Sequence, residues 1–114
     1  MNTNSHKWEW EGYEVAWKKE ESEINSPIAT VLIHGFGACK EHWRKNQIEI
    51  SNKIPSYAID LIGFGDSSQP KSQLSKCEIK NGEFFYCFDS WTQQIIDFCS
   101  EIIQTPVLII GNSI

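Results

Sequence analysis

Alternation of apolar and polar positions opens the chain. Trp8 and Trp10, then Tyr13, Val15 and Trp17, alternate with polar residues on either side of Glu11-Gly12, which predicts an antiparallel hairpin at the first edge of a sheet. Residues 18–27 are charged and finish in Asn25, Ser26 and Pro27, so they read as an exposed connection. The pattern then changes. Residues 28–33 (IATVLI) are a nearly unbroken apolar run, as a parallel strand buried on both faces requires, and 106–110 (PVLII) has the length of a buried strand but is expected at a sheet edge. Between them, residues 57–61 (YAIDL) form a third strand. Residues 41–53, with Trp43, Ile48 and Ile50 among polar neighbours, predict a helix or irregular helical segment.

Residues 71–87 show no period and read as a surface loop whose aromatic end, Phe84 to Tyr86, packs inward. Ser90 and Gln93 then match a capping box at a helix start. Trp91, Ile95, Phe98, Cys99 and Ile102 recur at helical spacing, which predicts one apolar helix face through residue 103. Thr105-Pro106 ends that helix. Strands alternating with helices make the chain α/β: a mostly parallel sheet, with an antiparallel first hairpin and helices on both faces.

Composition narrows the function. With 114 residues, 40% of them apolar and 12% aromatic, the chain builds one globular core. A formal net charge of −5 with no basic cluster argues against a nucleic-acid partner. The apolar runs are far below the ~18 residues of a membrane span. The polar start, residues 1–6, has no leader pattern, so a cytoplasmic protein is expected. Cys39, Cys77, Cys87 and Cys99 lack paired spacing and read as reduced thiols. Cys39 and His42 form a C-x-x-H, but nothing supplies two more ligands, and no metal is expected.

The chemistry concentrates at two strand ends. The last strand runs into Gly111, Asn112, Ser113 and Ile114, the first four residues of G-x-S-x-G, in which a sharp strand-to-helix turn exposes a nucleophilic serine. Four residues alone fit an ordinary turn equally well, so the context decides. That context is His34, Gly35, Phe36 and Gly37 after the earlier buried strand, a glycine turn able to aim N–H groups at an oxyanion. Ser113 is therefore the candidate nucleophile, with the N–H groups of Phe36 and Ile114 as oxyanion donors and His34, Gly35, Gly37 and Gly111 as supporting residues. His34 reads as structural rather than as a base. Gly63 to Ser67 is not a dinucleotide loop, since glycine is missing at Ser68 and Pro70 follows.

Together VLIHGFG (31–37), DLIGFGDS (60–67) and PVLIIGNS (106–113) resemble the α/β-hydrolase superfamily in order and spacing. WTQQIIDF (91–98) with GNSI (111–114) looks like its pheophytinase and chlorophyll dephytylase branch, which hydrolyses phytyl esters. The resemblance implies a single partial domain over 1–114 that finishes at the nucleophile elbow. It implies a serine hydrolase of small-molecule carboxylic esters that needs no cofactor. It also implies an acid and a histidine downstream of the nucleophile. His6, His34 and His42 all precede Ser113, so these residues alone are expected to be inactive. The competing expectation is a non-catalytic fragment or binding remnant of the fold.

Overall fold

A computed structural model describes residues 5–72 and 83–112. Strands β1 (Ser5–Trp10) and β2 (Tyr13–Glu20) form the expected hairpin. Glu11 and Gly12 both have positive φ, 52° and 81°, the backbone of a two-residue turn whose twist matches the strands it joins. The core strands are β3 (Ala29–Ile33) and β4 (Ser56–Ile59), each buried along its whole length. Two short strands, β5 (Lys71–Ser72) and β6 (Glu83–Phe84), pair with each other, and β7 (Val107–Gly111) completes the main sheet. Its order is β1-β2-β4-β3-β7. β3 pairs in parallel with both β4 and β7, while β2 runs antiparallel to β4.

Alternate residues of β3 feed two cores, which explains why its apolar run has no period. Val31 and Ile33 join Ile59, Phe98 and Ile103 beneath α2 (Phe88–Phe98), while Leu32 joins Ala58 and Trp43 on the side of α1 (Arg44–Ile50). Helices thus cover both faces of the sheet. Trp8 and Trp10 anchor the hairpin to α2 and the turn after it, donating their Nε1–H to Glu101 at 2.9 Å and Asp97 at 2.7 Å. Among the described residues no helix is long and apolar enough to cross a membrane.

Two local expectations are corrected, and the irregular helical segment is found. β2 continues through Glu20 into the stretch read as an exposed connection, because Lys18, Lys19 and Glu20 pair with Ala58, Tyr57 and Ser56 of β4. The helical segment begins as a 3-10 turn, Lys40–Trp43, and its buried α1 residue is Gln47 rather than the exposed Ile48. The Gln47 amide holds α1 down by donating to Lys18 O at 3.1 Å and Ser56 O at 3.3 Å. The capping box does not form. α2 begins at Phe88, behind an extended Cys87, and the Ser90 hydroxyl donates backwards to Phe85 O at 2.7 Å. Gln93 instead reaches forward to Asp97. The helix does run to Ile103, its last turn Cys99–Ile103 widening into π geometry before Gln104 stops it with φ 62°. Phe84 is buried, as the aromatic end of the loop suggested.

Candidate active site

β3 delivers His34 to the rim of the sheet, where its ring is fully buried. The N–H of Leu61 donates to its Nε2 at 3.1 Å, which leaves the proton on Nδ1, and Nδ1 lies 2.8 Å from Gly35 O. With both nitrogens engaged, His34 has no lone pair to offer as a base and acts as a structural bridge between two loops. The Gly35 carbonyl also accepts from Ala38 N–H at 3.0 Å, closing a tight turn over 35–38. Gly37 carries the positive φ, 80°, that the third position of such a turn demands. The turn leaves Phe36 76% exposed, its ring edge-on to Phe64 at 5.4 Å. Among the described residues, the Phe36 N–H has no acceptor.

β7 reaches the same rim. Its pairing with β3 ends at Ile33 opposite Gly111, and Asn112 N–H then donates to Ile33 O at 3.2 Å. The Asn112 side-chain amide lies 3.3 Å from His42 Nε2. Ser113 and Ile114 lie outside the described residues, as do Cys77 and the rest of 73–82. Of the candidate site residues, the structure thus brings His34, Gly35, Phe36 and Gly37 alongside Gly111. A cavity of about 240 Å³ opens between them and α2, walled by Phe64, Phe88, Trp91 and Ile95.

Behind the turn sits a polar assembly that no spacing rule discloses. Asp60, fully buried after β4, accepts from Lys40 N–H at 2.6 Å, Lys40 Nζ at 3.0 Å and Asp66 N–H at 2.9 Å. Lys40 Nζ also meets the carboxylates of Asp66 and Glu41. Burial alone lowers the Lys40 pKa, but hydrogen bonds with Asp66 and Asp60 outweigh it and hold the ammonium well above its ordinary value. The same bond, with the charge of Lys40, lowers Asp66 below the usual carboxylate range. Glu41, Asp60 and Asp66 bring one oxygen each within 4.8 Å of one another, and the ammonium occupies the place a cation would take.

Gly63 makes room for the Tyr86 ring, and Gly65 serves this assembly. A Cβ on Gly65, whose φ is +54°, would fall 2.4 Å from the Asp60 carboxylate. Buried Gln94 of α2 completes the lock, donating to Asp60 O at 3.1 Å and accepting from Ile62 N–H at 3.0 Å. Lys40 and Gln94 escaped the sequence reading because a charged residue and a helix amide carry no mark of burial until their partners are known.

A family model described as the alpha/beta hydrolase fold matches residues 29–114. The 1-acylglycerol-3-phosphate O-acyltransferase ABHD5 of Mus musculus is 38% identical over 68 residues, which are 60% of this chain and 19% of that protein. The chloroplastic pheophytinase of Arabidopsis thaliana is 27% identical over 105 residues, covering 75% of this chain and 22% of its own length. Among solved structures, a membrane phospholipase A described as a bacterial virulence factor superposes with a TM-score of 0.76 at 30% identity, over 96% of this chain and 31% of that one. The chain thus spans about a fifth of these curated relatives and about a third of the solved structure. With the family match running from β3 through β7, across both strand ends that form the rim, the chain belongs to the α/β-hydrolase fold family.

Proposed function

We propose that the protein is a serine hydrolase of lipophilic carboxylic esters, with Ser113 as nucleophile. In this reading Ser113 Oγ attacks the ester carbonyl and forms a C–O bond. A histidine from the family's downstream segment takes the hydroxyl proton and returns it to the leaving alcohol, and water then hydrolyses the acyl-serine. The N–H groups of Phe36 and Ile114 receive the oxyanion. The observation that carries the reading is the β3–β7 register: it brings Gly111 and Asn112, the two residues before Ser113, to the turn that displays the Phe36 N–H.

The aromatic wall of the neighbouring cavity favours an alkyl chain on the substrate. The names of the relatives, an acylglycerol-phosphate acyltransferase, a pheophytinase and a phospholipase, point to the same class. The test is Ser113→Ala in the protein that carries these residues, assayed with a p-nitrophenyl ester and a fluorophosphonate probe. Hydrolysis is expected to fall by about 10⁴-fold or more, and probe labelling to vanish. Retention of hydrolysis within tenfold of wild type overturns the assignment.

A further inference from the structure

His42 has no part in the reading above, yet its ring meets the residue that precedes the candidate nucleophile. It stands in the 3-10 turn Lys40–Trp43, directly after the turn that displays the Phe36 N–H. Its neighbours on both sides are fixed: Lys40 is tied to Asp60 from backbone and side chain, and the Trp43 ring is buried against Leu32 and Ala58. The exposed imidazole, edge-on to Trp43 at 5.5 Å, is therefore held on a rigid base. From there its Nε2 lies 3.3 Å from Asn112 Nδ2. An amide nitrogen can only donate, so Nε2 is the acceptor of this pair.

We propose that His42 is a positioning residue that clamps the nucleophile elbow against the oxyanion turn through Asn112. The inference rests on the assignment of Ser113. Asn112 is gripped twice, by Ile33 O on its backbone N–H at 3.2 Å and by His42 on its side chain. One grip ties it to β3 and the other to the segment that follows the oxyanion turn. A single backbone bond leaves the peptide free to pivot about it. A second bond, made by the side chain, removes that pivot and fixes the residue that precedes Ser113. An ordinary exposed polar pair would stabilise the protein slightly and leave turnover alone. A clamp instead acts on kcat, because rates respond steeply to sub-ångström placement of reacting groups.

The experiment compares His42→Ala, His42→Gln, Asn112→Ala and the double alanine variant with wild type and Ser113→Ala, using p-nitrophenyl butyrate. His42→Ala and Asn112→Ala are each expected to lower kcat about tenfold with KM unchanged, inside the ~100-fold that a 1 Å misplacement costs. His42→Gln, whose side-chain oxygen still accepts from Asn112, recovers most of the loss. The double variant is no slower than either single one, since both remove the same bond. Wild-type kcat in His42→Ala, or additive losses in the double variant, overturns the clamp while Ser113→Ala remains inactive. Amide hydrogen exchange at Asn112 reads the clamp independently of the nucleophile, with protection expected to fall about tenfold in His42→Ala. If Ser113→Ala keeps full activity, the nucleophile reading fails, and unchanged protection then shows that the clamp fails with it.

Discussion

Lys40 and Asp60 meet twice inside the protein: the Lys40 backbone N–H donates to one carboxylate oxygen at 2.6 Å, and its own ammonium donates to the other at 3.0 Å. Both side chains are sealed from solvent, at 2% and 0% exposure. One residue thereby fastens the segment after the Gly35–Ala38 turn to the loop after β4.

Removing the ammonium leaves the Asp60 charge buried without its counter-ion. Lys40→Met is expected to lower the unfolding free energy by about 3–5 kcal/mol, the usual cost of breaking a buried pair from one side. Asp60→Asn, which retains an oxygen for one of the two amides, is expected to lose less. Denaturant titration followed by Trp fluorescence gives both values, and a loss below about 1 kcal/mol for Lys40→Met would show the site to be wet.

Stability is expected to depend on acid through Asp66. Its pKa is lowered in the folded protein from an ordinary value of 3.8, so its contribution is full above that value and is lost as pH falls through the folded one. Lys40 has the opposite sense: its raised pKa makes its contribution full below its ordinary 10.5 and lost only in strong alkali. Asp66→Asn should therefore flatten the curve of melting temperature against pH below pH 4 and, by removing one of the bonds that raise Lys40, bring the alkaline loss to lower pH. An unaltered acid limb would sink the assignment. The Asp66 side chain is 69% exposed, so the effect is a change of slope rather than a collapse.

Phe88 stands 65% exposed at the cavity rim, where truncation leaves the core intact. Phe88→Ala is expected to raise KM several-fold for p-nitrophenyl decanoate while KM for the acetate stays put, since each buried methylene contributes about 0.8 kcal/mol. Equal shifts for both esters would place the alkyl chain elsewhere.

The sequence announces those elements whose cause is local. β3 and β7 are legible from their unbroken apolar runs, although only β3 is buried along its length and Leu108 and Ile109 of the edge strand β7 stand exposed, and the hairpin because Glu11-Gly12 takes a turn of two positive-φ residues. The far end of β2 is not legible. Lys18, Lys19 and Glu20 look like a solvated connection until β4 arrives to pair with them, after which Lys19 lies over the Tyr57 ring at 5.2 Å. The start of α2 is missed for a related reason: the Ser90 hydroxyl has a second acceptor, Phe85 O, that spacing alone does not reveal. At the site, His34 to Gly37 and Gly111 lie together at one rim of the sheet, as neighbouring strand ends must. The polar lock of Lys40, Asp60 and Gln94 is assembled from three separate segments, and its members look ordinary in each.

Sheet order also governs time. Strands β1 and β2 are joined by a tight turn, whereas β3 must wait for β7, from the far end of the described chain, before Ile33 finds Gly111. A hairpin closes in microseconds, but a contact across so long a loop carries an entropic penalty that only the rest of the sheet can offset. The rim where Asn112 meets Ile33 is therefore among the last parts of the molecule to take shape. A nascent chain has its hydrophobic framework well before the ends of β3 and β7 stand side by side.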